Sequence, residues 1–158
     1  MRAYQVFAGM KPDHAEGLFR TLSKESPDMF TNAVAAASTA MKSRPAYLLK
    51  QPFEKRVQAV RRAMSRVSAN AIAEEILAVY FLECRKPLLV EWLDGLGLEH
   101  EDGALKDDEP VEPDETKLRE AVTAFRGVDE DPDRDLLLRA FAAQSAIDWP
   151  VLDKVIAE

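Results

Sequence analysis

Hydrophobic residues recur along most of the chain with the spacing of one face of an α-helix. In the first segment, Ala3, Val6, Phe7 and Met10 follow the i, i+3, i+4, i+7 pattern, which places four apolar side chains on one side of a helix with 3.6 residues per turn. No stretch alternates apolar and polar residues as a half-buried strand would. The same helical spacing recurs in two further sets: Ala15, Leu18, Phe19 and Leu22, and Leu118, Ala121, Val122 and Phe125.

Nine prolines divide this pattern into segments, and four of them are followed directly by aspartate. Proline is tolerated at the first position of a helix, because the N–H that it lacks has no helical partner there. An aspartate after it lies at the positive end of the helix dipole. Ser26 and Asp131 precede two of these prolines and are predicted N-caps. We therefore predict helices over residues 2–10, 12–24, 27–43, 45–50, 52–67, 69–86, 87–96, 113–126, 132–145 and 150–157.

The predicted fold is all-α, either an irregular multi-helix bundle or a short stack of helical hairpins. The segment 69–86 is apolar on nearly all sides between Ile76 and Leu82, which indicates a central, buried helix. Asp102-Gly103 is a turn signal and allows at most a tiny hairpin near 98–106. We predict a main helical part over 1–96, an acidic loop or linker over 97–112, and C-terminal helices over 113–158 that pack on the main part as one domain.

The composition excludes several classes of protein. A length of 158 residues suits one domain. One cysteine cannot form an internal disulfide. The first residues lack the apolar run of a secretory signal, and the most apolar stretch, residues 76–82, is far shorter than the roughly 20 residues of a membrane span. We expect a cytoplasmic protein that does not bind membranes.

The net charge of −7 conceals an asymmetry between the two halves of the chain. Residues 1–86 carry a balance of +6 and residues 87–158 a balance of −13. Within them, residues 42–66 hold eight cations and one anion, and residues 99–115 hold nine anions and one cation. Either the two halves face each other and partly neutralise, or each surface meets a partner of opposite charge.

The segment 52–67 is the strongest candidate for a binding surface. Phe53, Val57, Val60, Met64 and Val67 form an apolar stripe along one side of the predicted helix. Three cations lie opposite the stripe, and the others flank it or precede the helix. Such a ridge is typical of a solvated face, of a contact with an acidic protein, or of phosphate binding. The candidate partner-binding residues are Lys50, Lys55, Arg56, Arg62 and Arg66.

Two acidic segments have some features of a metal site. A calcium loop that started at Asp129 would have aspartates at its positions 1, 3 and 5, but Arg134 would replace the glycine at position 6 and Ala140 the glutamate at position 12. A helix start capped by Asp131 is therefore the better interpretation. The acidic loop holds one histidine, His100, among carboxylates, which is not a zinc spacing. We predict no metal site and no cofactor, although weak binding of a divalent cation by the loop stays open.

The chain contains no nucleophile elbow, phosphate-binding loop, dinucleotide fingerprint or zinc helix. The leading hypothesis is thus a non-enzymatic protein-interaction or scaffold module with a basic helix and an acidic loop. The first alternative is a nucleic-acid-associated protein that uses the basic helix. The second is an enzyme or small-ligand binder whose site is assembled across helices, with Glu83, Cys84 or His100 as candidate groups. Glu83 is expected to be partly buried and paired.

Overall fold

The computed structural model describes all 158 residues and confirms an all-α fold with many helices. The only strands form a two-stranded antiparallel hairpin. The helices are α1 (Ala3–Gly9), α2 (Pro12–Glu25), α3 (Pro27–Ala40), α4 (Pro45–Leu49), α5 (Phe53–Met64), α6 (Asn70–Val79), α7 (Lys86–Leu96), α8 (Glu115–Arg126), α9 (Pro132–Ala142) and α10 (Pro150–Ala157). The strands are β1 (His100–Glu101) and β2 (Ala104–Leu105).

Proline marks the helix starts much as the sequence predicts. It is the first residue of α2, α3, α4, α9 and α10. Asp131 caps α9, with its side chain accepting from the backbone N–H of Asp133 at 3.0 Å. Ser26 makes no such side-chain bond, because it is shared between the end of α2 and the start of α3. Helix α8 begins two residues later than predicted, with Asp114 as its cap.

The predicted helix over 69–86 is divided in the structure. A 3₁₀ turn (Val67–Ala69) precedes α6, and a π turn (Tyr80–Cys84) follows it. The N–H of Arg85 donates to the carbonyl of Tyr80, five residues back, at 3.1 Å. A π turn contains one more residue than an α turn, so the side chains after Tyr80 are rotated from their positions on a regular helical wheel. Glu83 is consequently exposed and forms no ion pair, and the expectation that it is partly buried and paired is wrong.

The buried apolar side chains form one continuous cluster that draws on both 1–96 and 113–158. Helix α3 packs against α2 and α5, α1 packs against α6, and α8 packs against α7 and α10. Two groups of aromatic rings lie within the cluster. One runs Phe7, Phe19, Phe30 and Phe53, and the other runs Phe125, Trp92, Phe141 and Trp149.

The hairpin lies within the acidic loop of residues 97–112, shortly after the end of α7. Asp102 and Gly103 both have positive φ, 53° and 90°, as a tight two-residue hairpin turn requires. This confirms the turn predicted from Asp102-Gly103. None of the helices combines the length and apolar character that crossing a membrane requires.

Candidate functional site

The cations of residues 42–66 form an exposed surface that no carboxylate neutralises directly. Six of them are exposed, and none takes part in an ion pair. No ion pair joins this segment to residues 99–115, so the two segments of opposite charge do not neutralise each other through direct contacts. We call these six residues the basic surface: Lys42, Arg44, Lys50, Lys55, Arg62 and Arg66.

Apolar side chains are exposed beside these cations. The chain has six large hydrophobic residues that are exposed, and four of them, Met41, Tyr47, Leu49 and Val67, lie within residues 41–67. Tyr47 keeps 61% of its surface exposed. Contiguous exposed apolar groups are typical of interaction sites, and Met41 and Tyr47 lie together in one depression of the surface.

The end of α3, helix α4 and helix α5 together form a shallow depression of about 210 Å³. Its lining combines both features of the surface: Met41 and Tyr47 are apolar, and Lys55 and Arg62 are cationic. Two of the five candidate residues therefore share one concave site with exposed apolar groups. Pro45 begins α4, Pro52 is the N-cap of α5, and α3 packs against both helices.

The other three candidate residues lie around the depression. Lys50 is exposed at the end of α4. Arg66 is exposed and donates to the carbonyl of Ala40 at 3.3 Å. Arg56 is half-buried, with its guanidinium carbon 5.6 Å from the ring centre of Phe53 and 5.8 Å from that of Phe30. The packing of Arg56 on two rings makes it the least available of the five.

The acidic loop also remains without cationic partners. Six of its carboxylates are exposed and form no ion pair. Nowhere in the structure do three or more histidine, cysteine or acidic side chains form a group that could hold a metal ion. The later acidic residues are used locally: Glu112 accepts from the backbone N–H of Val151 at 2.8 Å, and Asp114 caps α8. The free carboxylates are Glu99, Glu101, Asp102, Asp107, Asp108 and Glu109.

The candidate catalytic groups are engaged separately. His100 bonds through Nε2 to Asp94 at 2.7 Å and accepts at Nδ1 from the N–H of Gly103 at 3.1 Å, which fixes it in the hairpin. Burial, together with the neighbouring carboxylate of Glu25, raises the pKa of the Cys84 thiol to about 11. A thiol with such a pKa is a poor nucleophile at neutral pH. Among Glu83, Cys84 and His100, no nucleophile is therefore paired with a base.

The structure contains a buried ionic network that the sequence did not predict. Asp133 lies in the first turn of α9 and is only 4% exposed. Its Oδ1 bonds to Nε2 of His14 from α2 at 2.6 Å. Its Oδ2 accepts from the hydroxyl of Tyr80 at 2.6 Å and from Nη1 of Arg85 at 2.8 Å. Nη2 of Arg85 donates to Asp131 at 2.5 Å. Three separate elements are joined at one carboxylate.

The electrostatics of this network favour its charged form. Burial by itself would raise the pKa of Asp133, but the hydrogen bonds from His14 and Tyr80 and the charge of Arg85 outweigh it and hold the pKa below its ordinary value. Burial and the bond to Asp133 raise the pKa of Tyr80, so its hydroxyl stays a neutral donor. None of the principal cavities is lined by these residues. The network therefore joins α2, the π turn and α9 through one charged carboxylate.

Arg134, next in the chain, is a second buried charge that the sequence did not predict. Its guanidinium donates to Glu91 at 2.9 Å, to Asp129 at 2.8 Å and to the carbonyl of Phe125 at 3.2 Å. The aspartate-rich segment is thus a helix start, as predicted, but its charges also tie α9 to α7 and to the end of α8. No sequence signal reveals these contacts, because each partner is distant in the chain or ordinary in type.

Comparison of the chain with protein-family models, with curated proteins and with solved structures gave no match.

Proposed function

We propose that the chain is a non-enzymatic, cytoplasmic protein-interaction module that binds an acidic, partly apolar segment of a partner protein. One observation carries the proposal: the depression between α3, α4 and α5 combines exposed Met41 and Tyr47 with Lys55 and Arg62, cations that have no partner within the chain. The acidic loop offers a second surface, of opposite charge, to the same or another partner.

The two kinds of side chain contribute differently to binding. Burial of apolar surface stabilises a complex by roughly 25 cal/mol per Å², and tyrosine and arginine are enriched among the residues that dominate interface energies. The surrounding lysines and arginines accelerate the encounter with an acidic partner and set its orientation. Because no internal carboxylate occupies these cations, a partner need not displace one.

A protein partner is favoured over nucleic acid by the charge of the whole chain. The net charge of −7 opposes the approach of a phosphate backbone to the chain as a whole. The apolar members of the depression also have no role in simple phosphate binding. Tyr47 is the one exposed aromatic residue near these cations that could stack on a base. Binding of nucleic acid is therefore the alternative outcome of the test.

The test is fluorescence anisotropy with a labelled helical peptide that carries glutamates and a leucine stripe at i, i+4 spacing. Labelled duplex DNA, single-stranded DNA and RNA are measured in parallel at roughly 50 and 200 mM salt, a range across which several phosphate contacts lose orders of magnitude in affinity. The test variant is K55E/R62E. The matched control is K24E/K86E, which reverses two exposed lysines outside the basic surface.

We expect the peptide to bind the native chain and the control, and the affinity of K55E/R62E to fall at least tenfold. Tyr47→Ala should weaken peptide binding while leaving its salt dependence unchanged, because the substitution removes an apolar contact and no charge. Nucleic-acid binding that fails only in K55E/R62E would replace the proposal with the nucleic-acid alternative. Equal affinities of K55E/R62E and K24E/K86E for the peptide would refute the assignment of the site.

A further inference from the structure

An apolar pocket lies on a different part of the molecule from the basic surface. It measures about 200 Å³ and is enclosed by α6 with its π turn, α7, the hairpin, α9 and the loop after α9. Of its 15 lining residues, 13 are hydrophobic, and neither of the other two, Gly103 and Gln144, is charged. The pocket therefore suits a hydrocarbon group and offers no counter-charge.

The floor and the mouth of the pocket differ in side-chain size. The floor is made of large buried residues, among them Leu77, Phe81 and Phe141. The lining residues that reach solvent include Ala78 and Ala146, which are too small to cover the floor. The pocket is consequently open to solvent at the mouth and apolar at its base.

Two local backbone features shape the walls. Phe81 and Leu82 of the π turn line the pocket together with Leu77 and Ala78 of α6, and π turns are frequent at functional sites. In the hairpin, a Cβ added at Gly103 would lie 3.0 Å from Cδ2 of Leu89 and 3.6 Å from Cδ2 of Leu82. A Cβ there would require the methyl group of Leu89 to shift by a few tenths of an ångström, and the φ of +90° also favours glycine.

We propose that this pocket binds a small, uncharged molecule through an apolar hydrocarbon group. A cavity of about 150 Å³ lined by leucine, isoleucine and phenylalanine is known to take up benzene, so about 200 Å³ accommodates a ring of that size or a short alkyl chain of similar volume. A charged group would lose its hydration there without finding a partner. Gln144 is the one polar side chain in the lining, and its amide makes only long bonds, 3.4 Å to the carbonyls of Glu74 and Ala140. Its amide is available to one polar atom of the ligand.

The test uses benzene and n-octanol as separate probes, titrated into the full chain with ¹³C-labelled methyl groups. We expect saturable shifts of the methyl signals of Leu77, Leu89 and Ile147, which line the pocket, and none for Val57 in α5, which does not. The two probes distinguish a ring-shaped ligand from a chain-shaped one. Saturable binding of either supports the proposal.

Two substitutions fill the pocket from its mouth: Ala78→Phe, in α6, and Ala146→Phe, in the exposed loop. The matched control is Ala71→Phe, an exposed position of α6 outside the pocket. We expect each filling variant to lose at least tenfold in affinity for the probe that binds, and the control to keep it. If Ala78→Phe unfolds the chain, Ala146→Phe alone provides the filling variant. Absence of saturable shifts with both probes, or equal affinity in the filling and control variants, would overturn the proposal.

Discussion

Replacing Asp133 by asparagine tests whether one buried carboxylate holds three elements together. The substitution keeps the size of the side chain but removes its charge and replaces one acceptor oxygen by an NH₂ donor. In the structure both oxygens of Asp133 accept hydrogen bonds, from His14, Tyr80 and Arg85. If the remaining oxygen still accepts from Tyr80 and Arg85, the new NH₂ group faces Nε2 of His14, which can accept only in the tautomer that leaves this nitrogen unprotonated. The charge that faces Arg85 is lost in every orientation of the new side chain.

The expected loss follows from the geometry. Breaking a buried ion pair by removing one partner costs about 3–5 kcal/mol. The lower end of this range applies here, because the side chain of Arg85 is 32% exposed to solvent and still has Asp131 as a partner at 2.5 Å. We therefore expect the free energy of unfolding to fall by about 3 kcal/mol. For a domain of this size, about 2–4 °C is lost per kcal/mol, so the melting temperature should fall by about 6–12 °C.

The chain contains a close control for this experiment. Asp28 also follows a proline in the first turn of a helix, α3, but it is exposed and makes no ion pair. Asp28→Asn removes the same interaction with the helix dipole and should cost less than about 1 kcal/mol. Unfolding in urea, followed by circular dichroism, measures both variants. A loss in Asp133→Asn no larger than that in Asp28→Asn would refute the role assigned to the network.

Three further predictions concern titration, reactivity and backbone strain. Because the folded-state pKa of Asp133 lies below its ordinary value, its stabilising contribution is present above that ordinary value and is lost as the pH falls below about 5. In urea unfolding from pH 7 to 3, the free energy of unfolding should therefore decline less steeply in Asp133→Asn than in the native chain. An equal decline in both would contradict this prediction. Cys84, with a pKa of about 11, should react with a thiol reagent at pH 8 roughly a hundredfold more slowly than a free cysteine, whose pKa is about 8.5. Glu25→Gln should speed the reaction, and a rate like that of free cysteine would contradict the partly buried environment beside Glu25. Gly103→Ala should lower the free energy of unfolding by about 1–2 kcal/mol, because φ is +90° and the new methyl group would lie 3.0 Å from Leu89. An unchanged melting temperature would contradict this prediction and show that the hairpin moves freely.

The fold class is readable from local signals. The apolar spacing of 3.6 residues and the prolines at helix starts predict the helices of the structure to within a few residues at most ends. These signals are local because a helix satisfies its backbone hydrogen bonds within a single segment. The hairpin is predicted by Asp102-Gly103 for the same reason, since a tight turn depends on the conformation of two adjacent residues.

The basic surface was predicted only in part. A helical wheel places Lys55, Arg62 and Arg66 opposite the apolar stripe of the predicted helix 52–67, and all three are exposed in the structure. Helix α5 ends at Met64, so Arg66 and Val67 lie beyond it, and Val67 is exposed rather than part of the buried stripe. The wheel describes a single helix, so it could not show that Met41 from α3 and Tyr47 from α4 reach the same depression. The wheel failed for Glu83, because the π turn changes the number of residues per turn.

By itself, the sequence determined which segments are helical, where they begin and which faces are apolar, because those properties depend on residues a few positions apart. Only the tertiary structure decided that Asp133 meets His14, 119 residues away, that the cations of residues 42–66 have no internal carboxylate partners, and that an apolar pocket opens beside the π turn. These features depend on contacts between elements that are distant in the chain. Such contacts follow from how whole helices pack, and no local pattern of residue types encodes them.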